Sequence, residues 1–595
     1  MSKQSSAFLI SVPFILIIAL HLLGSFFPGV STWGFSQWSV VDTWATFFVL
    51  GLATALVLKP VAANVSSLLR KFPFDLSQAS TATRIIAVTI ISALLFYLFI
   101  SLRLQALVYG DGLTILAHVS QSQGDLIFDQ YRTQAFSIIL FKKSCLLGLR
   151  LFDLTPKVTF AAINCLAGVV SFWAIYAIAG ILARSTSSRN AIMFSALSSG
   201  AVLLFFGYIE TYAWPLALGL WSVYFTIRYT HGLSSLIPAV LFALTSGVFH
   251  AIALPFLVAV LAVRAAKFLS SREIESGRIY RTIFLTLIAG SIIFAGVGDY
   301  IGLPGVFVPL VPETNNPYWA LSLEHLRDVG NAIFFLAPAG ILLLVTSLFQ
   351  KDTNTESGHE NTLALFALVT FLPAFWLDPA LGAMRDWDIL SFYGIPLSIW
   401  GAYRFIGRTP SSYHGAIAVA AFVIVIVHLT PNIIEKRDPA IAVAFLDAAL
   451  NDDPHYQTSY LSGDRLVPWG TILTHINQNA LAKKYFERRI LAKRNSRGAW
   501  HNLGMIHLED NKYDSAIYCF QNILNYYVYD TASWYRLAQA HYSRNELPEA
   551  LASIRRAEKL NSRDPSIHDV LGIILMQTRQ YYGAIHQLRL SLELD

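Results

Sequence analysis

Charge is scarce in this chain. Only 13% of its 595 residues are Asp, Glu, Lys or Arg, about half the share typical of soluble domains. That shortage excludes a water-facing surface over most of the molecule. Cysteine is scarce as well: Cys145, Cys165 and Cys519 lie far apart and are odd in number, so neither a disulfide framework nor a metal knuckle follows. Metal-ligand spacings, a nucleophile elbow and a phosphate-cradling glycine loop are all missing. The net charge of +6 comes from basic residues placed mostly between apolar segments. No basic stripe interleaved with aromatics exists, which argues against a nucleic-acid partner and makes these residues topology signals.

What is abundant is apolar: 55% of the residues are hydrophobic and the mean hydropathy is +0.52. No soluble fold of this length needs so much apolar surface, so the excess must face lipid. Lys3 precedes an apolar run from Ala7 to Phe27, too long for a signal-peptide core and without a clear cleavage site, which reads as an uncleaved first span. With about 20 residues needed per span, about thirteen segments qualify, near 6–27, 40–58, 85–105, 158–182, 190–208, 212–229, 234–249, 251–266, 282–303, 331–349, 362–378, 389–406 and 413–430.

With Lys3 inside, the inner loops hold most of the basic residues, and the short outer loops hold only Arg327 and Arg385. The long loop 106–157 is the exception, with Arg132, Lys142, Lys143, Arg150 and Lys157. Its stretch 135–152 is apolar but interrupted by Lys142–Lys143. Two charges at mid-span cost roughly 5–7 kcal/mol, so a helix lying in the membrane interface is expected there. An odd number of spans then puts the C-terminal tail on the outer, periplasmic or lumenal, side.

That tail repeats every 34 residues. Trp500, Trp534 and His568 are in register, as are Leu503, Leu537 and Leu571; Ala516, Ala550 and Ala584; and Phe520, Ile554 and Leu588. The small residues Gly504, Ala538 and Gly572 keep the same step, and Ala482 and Phe486 extend it backward. The pattern resembles the tetratricopeptide repeat (TPR), in which small residues let paired helices approach and large ones fill the gap to the next pair. A degenerate repeat is expected at about 464–497, followed by 498–531, 532–565 and 566–595. Such arrays bind an extended peptide or a partner protein, or serve as rigid stalks.

Three polar clusters stand out where outer loops meet spans. The first is Tyr109-Gly110-Asp111-Gly112; the glycines permit unusual dihedrals and close approach of a ligand, although Gly-Asp-Gly is also ordinary turn chemistry. The second is Phe206-Gly207-Tyr208-Ile209-Glu210-Thr211-Tyr212. A tight hairpin does not require a glutamate between two tyrosines, though tyrosines also anchor at interfaces. The third is Met384-Arg385-Asp386-Trp387-Asp388, whose charges can pair with one another, or hold a phosphate (Arg385) and a divalent metal or sugar hydroxyls (Asp386, Asp388). His250, and Glu324, His325 and Arg327 in the 304–330 loop, are weaker candidates.

Many spans, Gly110-Asp111-Gly112 in a long outer loop with interfacial helical stretches, and an outward soluble tail together resemble the GT-C fold glycosyltransferases. The membrane body with its repeat tail is similar to the transmembrane and TPR-repeat-containing O-mannosyltransferases. In that family the acidic loop usually follows the first span, so residues 1–60 read as an added N-terminal hairpin. The usual Asp-Glu or Asp-x-Asp pair is absent at 110–112. The resemblance implies an all-α protein: a GT-C-like membrane domain over 61–430, a connector over 431–463 and a TPR domain over 464–595. It also implies a polyprenyl-phosphate-linked sugar donor, a protein or glycan acceptor approaching from outside, and Asp111 as general base. Arg385 is then expected to hold the lipid phosphate, while Glu210, Tyr208, Tyr212, Asp386, Asp388, Arg132 and His250 line the substrate site. No cofactor is required beyond a possible divalent metal. The other readings are a non-enzymatic membrane scaffold presenting its repeats to an envelope complex, and a lipid-linked glycan transporter or ligase.

Overall fold

The computed structural model describes residues 3–58, 80–110, 112, 115–116, 134–271, 276–300, 307–312, 318–350, 357–378, 383–452 and 466–594. Every regular element among them is a helix, and a single isolated bridge joins Phe307 to Leu377. Asp111 and Arg132 lie outside the described residues, as do Lys59, Arg70, Lys71, Arg272 and Lys351, which the sequence leads one to expect in inner loops. The chain divides into two compact units, Met1–Asp453 and Pro454–Asp595.

The first unit begins with α1 (Lys3–Phe26), α2 (Thr43–Val57), α3 (Thr81–Ser101), α4 (Ala135–Phe152), α5 (Pro156–Leu182) and α6 (Thr186–Leu197). It continues with α7 (Ala213–Thr230), α8 (Ile237–Phe249), α9 (Pro255–Ser270), α10 (Ser276–Tyr300), α11 (Leu323–Leu336) and α12 (Pro338–Leu348). It ends with α13 (Ser357–Trp376), α14 (Gly394–Gly407), α15 (His414–Arg437) and α16 (Pro439–Asp452). Helix α15 is the central post: it packs against α6, α1 and α2, and its residues from Ile417 to Val427 are mostly buried. The N-terminal hairpin therefore belongs to the same compact unit as the later helices, as does α16.

Thirteen full spans are not what the described helices show. Four have the length and hydropathy to cross a membrane: Thr81–Ser101, Pro156–Leu182, Ala251–Ser270 and Ser411–Arg437. A fifth exists if α11 and α12, bent by 101°, count as one broken span. The bend has a local cause. Pro338 lacks an N–H and disfavours helical backbone at the residue before it, and Ala337 sits at φ −146°, ψ 52°. Elsewhere the apolar segments are broken short. Segment 190–208 becomes α6 and a 3₁₀ turn, Gly200–Phe205, separated at Ser198–Ser199. Helices α6, α8 and α14 have 12, 13 and 14 residues, and so reach about 18–21 Å where a hydrocarbon core is about 30 Å thick. Hydropathy counts apolar residues but not the breaks that polar caps and prolines introduce.

Helix α4 covers the segment interrupted by the lysine pair. Ile138, Phe141 and Cys145 pack with Ile115, Phe160 and Ile209 into one buried cluster, and Lys143 stays exposed on the opposite side. The helix is amphipathic and is not among those fit to span.

The described residues of the second unit form four helical hairpins: α17 (Leu466–His475) with α18 (Asn479–Ala492), α19 (Arg497–Glu509) with α20 (Tyr513–Tyr526), α21 (Thr531–Ser543) with α22 (Leu547–Leu560), and α23 (Pro565–Gln577) with α24 (Tyr581–Leu594). Ala482, Ala516, Ala550 and Ala584 are all buried. A Cβ on Gly504 would stand 2.9 Å from the Phe520 ring, so the small position of the repeat exists because its large partner fills the space. The hairpin turns add a register that the apolar pattern did not reveal. Asn477, Asn511, Asn545 and Arg579, each 34 residues after the last, all take left-handed backbone at φ 61°, 59°, 65° and 61°, a conformation asparagine tolerates better than most residues.

Candidate functional site

The site is organised by one glycine. Gly110 has φ +57° and its N–H donates to the Arg385 carbonyl at 3.1 Å. A Cβ placed on it would stand 2.5 Å from Glu210 Oε1, 2.6 Å from Asp388 Oδ2 and 3.1 Å from the Tyr208 hydroxyl. Three of the acidic and phenolic candidates therefore converge on the residue that precedes Asp111. They come from separate elements: Tyr208 and Glu210 from the turn between the 3₁₀ segment and α7, Asp388 from the turn leading to α14.

Local bonding explains why each side chain is held. Asn164, fully buried in α5, donates through Nδ2 to the Tyr208 and Glu210 carbonyls at 2.7 and 2.8 Å. A Cβ on Gly112 would be 2.5 Å from the Ile209 carbonyl, so the backbone on both sides of Asp111 lies against the 208–210 turn. Asp388 Oδ1 accepts from the Ile389 N–H at 3.0 Å, and the Tyr208 ring lies 5.5 Å from Trp387. Glu210 and Asp388 are only 2% and 1% exposed. Buried carboxylates are costly unless bonded or matched by charge; Arg385, three residues before Asp388, is itself 4% exposed.

Arg385 has a clear first task. Its Nε and Nη2 donate to the Val108 carbonyl at 3.3 and 3.2 Å. Together with the Gly110 N–H on its own carbonyl, this forms a reciprocal clasp between the 108–110 turn and the 383–388 turn. Asp386 is half-buried in the same turn. Tyr212 and His250 form a separate pair, with ring centroids 4.9 Å apart. His250 Nδ1 accepts from the Ile252 N–H at 3.2 Å, and burial pushes its imidazole down to about 4, so it is neutral near pH 7 and caps the turn into residues 251–253. Of the weaker candidates, His325 Nδ1 and Asp328 Oδ2 both stand 3.2 Å from the Tyr318 hydroxyl. Among the described residues no group of three or more His, Cys, Asp or Glu side chains is arranged to hold a metal.

The partners of Tyr109 were not singled out from the sequence. The Tyr109 hydroxyl donates to Glu435, and the Lys436 ammonium bonds Glu435 Oε2 at 2.5 Å and Asn432 Oδ1 at 3.2 Å while lying 4.6 Å from the Tyr109 ring centre. The Gln105 and Ala106 N–H groups both donate to the Lys436 carbonyl. Burial and the Glu435 carboxylate together push the Tyr109 phenol well above its usual range, so it stays a proton donor. The end of α15 thus anchors the chain just ahead of Gly110. The signal was present: Glu435-Lys436 directly follows an apolar run, where a charged pair ordinarily reads as the end of a span.

No family model matches this chain, and no curated protein matches it. Among solved structures it is similar to a MamA double mutant of RS-1, at 18% identity over 26% of this chain and 84% of that one, with a TM-score of 0.24. It is also similar to MamA from Desulfovibrio magneticus RS-1, at 17% identity over 26% of this chain and 88% of that one, with a TM-score of 0.23. The architecture defines the class: among the described residues every regular element is helical, four apolar helices are long enough to cross a membrane, and the second unit is a TPR-type helical repeat.

Proposed function

We propose that this protein is a membrane glycosyltransferase of the GT-C type, moving a sugar from a polyprenyl-phosphate donor to an acceptor on the outer side of the membrane. The observation that carries the reading is the convergence of Glu210, Asp388 and Tyr208 on Gly110. It surrounds the neighbour of Asp111 with buried acceptors beside an apolar bundle. Sugar hydroxyls are recognised by such carboxylates, and an isoprenoid chain by the bundle's apolar surface. Asp111 acts as general base on the acceptor hydroxyl, a role typically worth about 10²–10⁴-fold. Glu210 and Asp388 bind and orient the sugar. Tyr208 donates a hydrogen bond to it. Arg385 positions the turn, and its guanidinium adds positive charge where the phosphate leaving group develops negative charge. The repeat tail shares the outer compartment with this site and holds the acceptor or a partner protein.

The test is transfer from a lipid-linked sugar pool by folded Asp111→Asn and Glu210→Gln variants in native-like membranes. Loss of transfer in Asp111→Asn with donor binding retained supports the base assignment, and unchanged transfer overturns it.

A second reading, a scaffold that uses its repeats alone, has one observation in its favour. A groove of about 470 Å³ runs along the first helices of successive hairpins, lined by Met505, Leu508, Gln539, Tyr542 and Ile573, and its shape suits an extended peptide. It predicts that Asp111→Asn leaves every function of the protein intact.

A further inference from the structure

Two histidines from opposite ends of the first unit's sequence meet in its interior. His21 of α1 and His428 of α15 are both fully buried, with His21 Nε2 3.1 Å from His428 Nδ1. Each ring's other nitrogen faces a backbone carbonyl: His21 Nδ1 is 3.1 Å from the Phe35 oxygen, and His428 Nε2 is 2.7 Å from the Phe335 oxygen. A carbonyl oxygen only accepts, so both outer nitrogens must carry hydrogens. The two inner nitrogens need one hydrogen between them. The file Phe35 C=O, His21, His428, Phe335 C=O is therefore complete with three N–H hydrogens, whereas two neutral imidazoles bring two. With two, either the inner lone pairs confront each other or one carbonyl loses its donor.

We propose that the His21–His428 pair is a binding site for a single proton, shared between the rings and held in addition to the two that neutral imidazoles carry. The opposing influence is burial, since a charge removed from water is costly. Among the described residues the charged group bearing on the pair is Lys436, two turns further along α15 and itself paired with Glu435. From the 334–335 stretch, Phe334 and Phe335 present ring edges rather than charges, with centroids 5.9 Å from His21 and 5.5 Å from His428. Trp38 donates to the Val427 carbonyl beside the pair and carries no charge.

The site is connected to the cluster around Gly110 through packed side chains and hydrogen bonds. Phe335 supplies the carbonyl that His428 holds, at the bend between α11 and α12. Its ring lies 5.2 Å from Trp387, which lies against Tyr208. Along α15, Asn432 donates to the His428 carbonyl at 2.8 Å and accepts from Lys436, which touches Tyr109. Loading or losing the shared proton therefore acts on the packing behind the site, whatever reaction occurs there.

The proposal is tested on the full-length protein in lipid nanodiscs with ¹⁵N-labelled histidine, by magnetic resonance from pH 8 to pH 5. His21→Gln and His428→Gln variants assign the two rings among the chain's 15 histidines. The expected result is that at pH 5 both outer nitrogens, His21 Nδ1 and His428 Nε2, carry a hydrogen, and that one further hydrogen couples to both inner nitrogens. Removing either histidine then abolishes the shared signal. An outer nitrogen without a hydrogen at pH 5, or no hydrogen between the two inner nitrogens, overturns the proposal. If neither variant folds, the two rings are assigned in the wild type through their distances to Phe35 and Phe335, and the same signal decides. The readout contains no transfer assay, so its failure and that of the glycosyltransferase reading are separate results.

Discussion

Arg385 and Val108 hold each other's turns in place: two guanidinium nitrogens converge on one carbonyl oxygen, at 3.3 and 3.2 Å. The bond fixes the approach to Gly110. This geometry makes Arg385 first a positioning residue, and its charge acts from a place already set by the clasp.

Arg385→Lys is therefore not a conservative change. Lysine is a point charge without the planar fork, and one hydrogen bond from a charged group is worth about 1.5–3 kcal/mol. The variant is expected to lower the unfolding temperature and to reduce kcat while KM for the lipid-linked donor stays within about threefold. A KM that rises steeply at unchanged kcat would instead make Arg385 a donor-binding group. Steady-state kinetics over donor concentration separates the two.

Gly110→Ala is expected to be among the most damaging small substitutions in the chain. Left-handed backbone costs an alanine roughly 1–2 kcal/mol, and its methyl group would press on Glu210 and Asp388 at 2.5 and 2.6 Å. These carboxylates are packed on all sides, so displacement moves the site itself. Misplacement by about an ångström can cost 10²-fold. Transfer activity should fall by about that factor while the fold, followed by circular dichroism, persists. Activity within about twofold of wild type would show that the turn does not position the reaction.

Asp530 links the repeat unit to pH. Burial raises its pKa, but hydrogen bonds from Ser533 and the Arg497 guanidinium outweigh that and hold the carboxyl below its usual range. A carboxyl depressed in the folded state contributes stability above its unfolded value near about 3.9 and loses that contribution as pH falls through the folded value. Asp510, held low by Lys483, acts with the same sign. The repeats should therefore hold their stability from neutral pH down to about 4 and loosen below it. Asp530→Asn should flatten that acid limb in hydrogen exchange of residues 497–543. An unchanged limb would assign the acid sensitivity elsewhere.

The two units were unequally legible. The tail could be read because each repeat is local: Ala516 and Phe520 lie one helical turn apart, and the same demand recurs at Ala550 and Ile554. The left-handed turn at Asn477, Asn511, Asn545 and Arg579 escaped notice because three asparagines and an arginine share a backbone conformation rather than a side-chain property. In the membrane body the clusters around Glu210 and Arg385 were visible as charges where apolar segments end. Asn164, Glu435 and Lys436 were not, since a lone amide in an apolar run and a charged pair at its end both have ordinary explanations.

Composition and periodicity by themselves determined that this chain is helical, rich in lipid-compatible surface, and ended by a repeat array. Those properties depend on residues within a few turns of one another. Tertiary structure alone decided which helices are long enough to cross a membrane, which carboxylates gather around Gly110, and that His21 meets His428 across 407 positions of sequence. A contact between distant segments is set by how whole helices pack, and no local pattern of side chains encodes which two polar groups that packing will bring together.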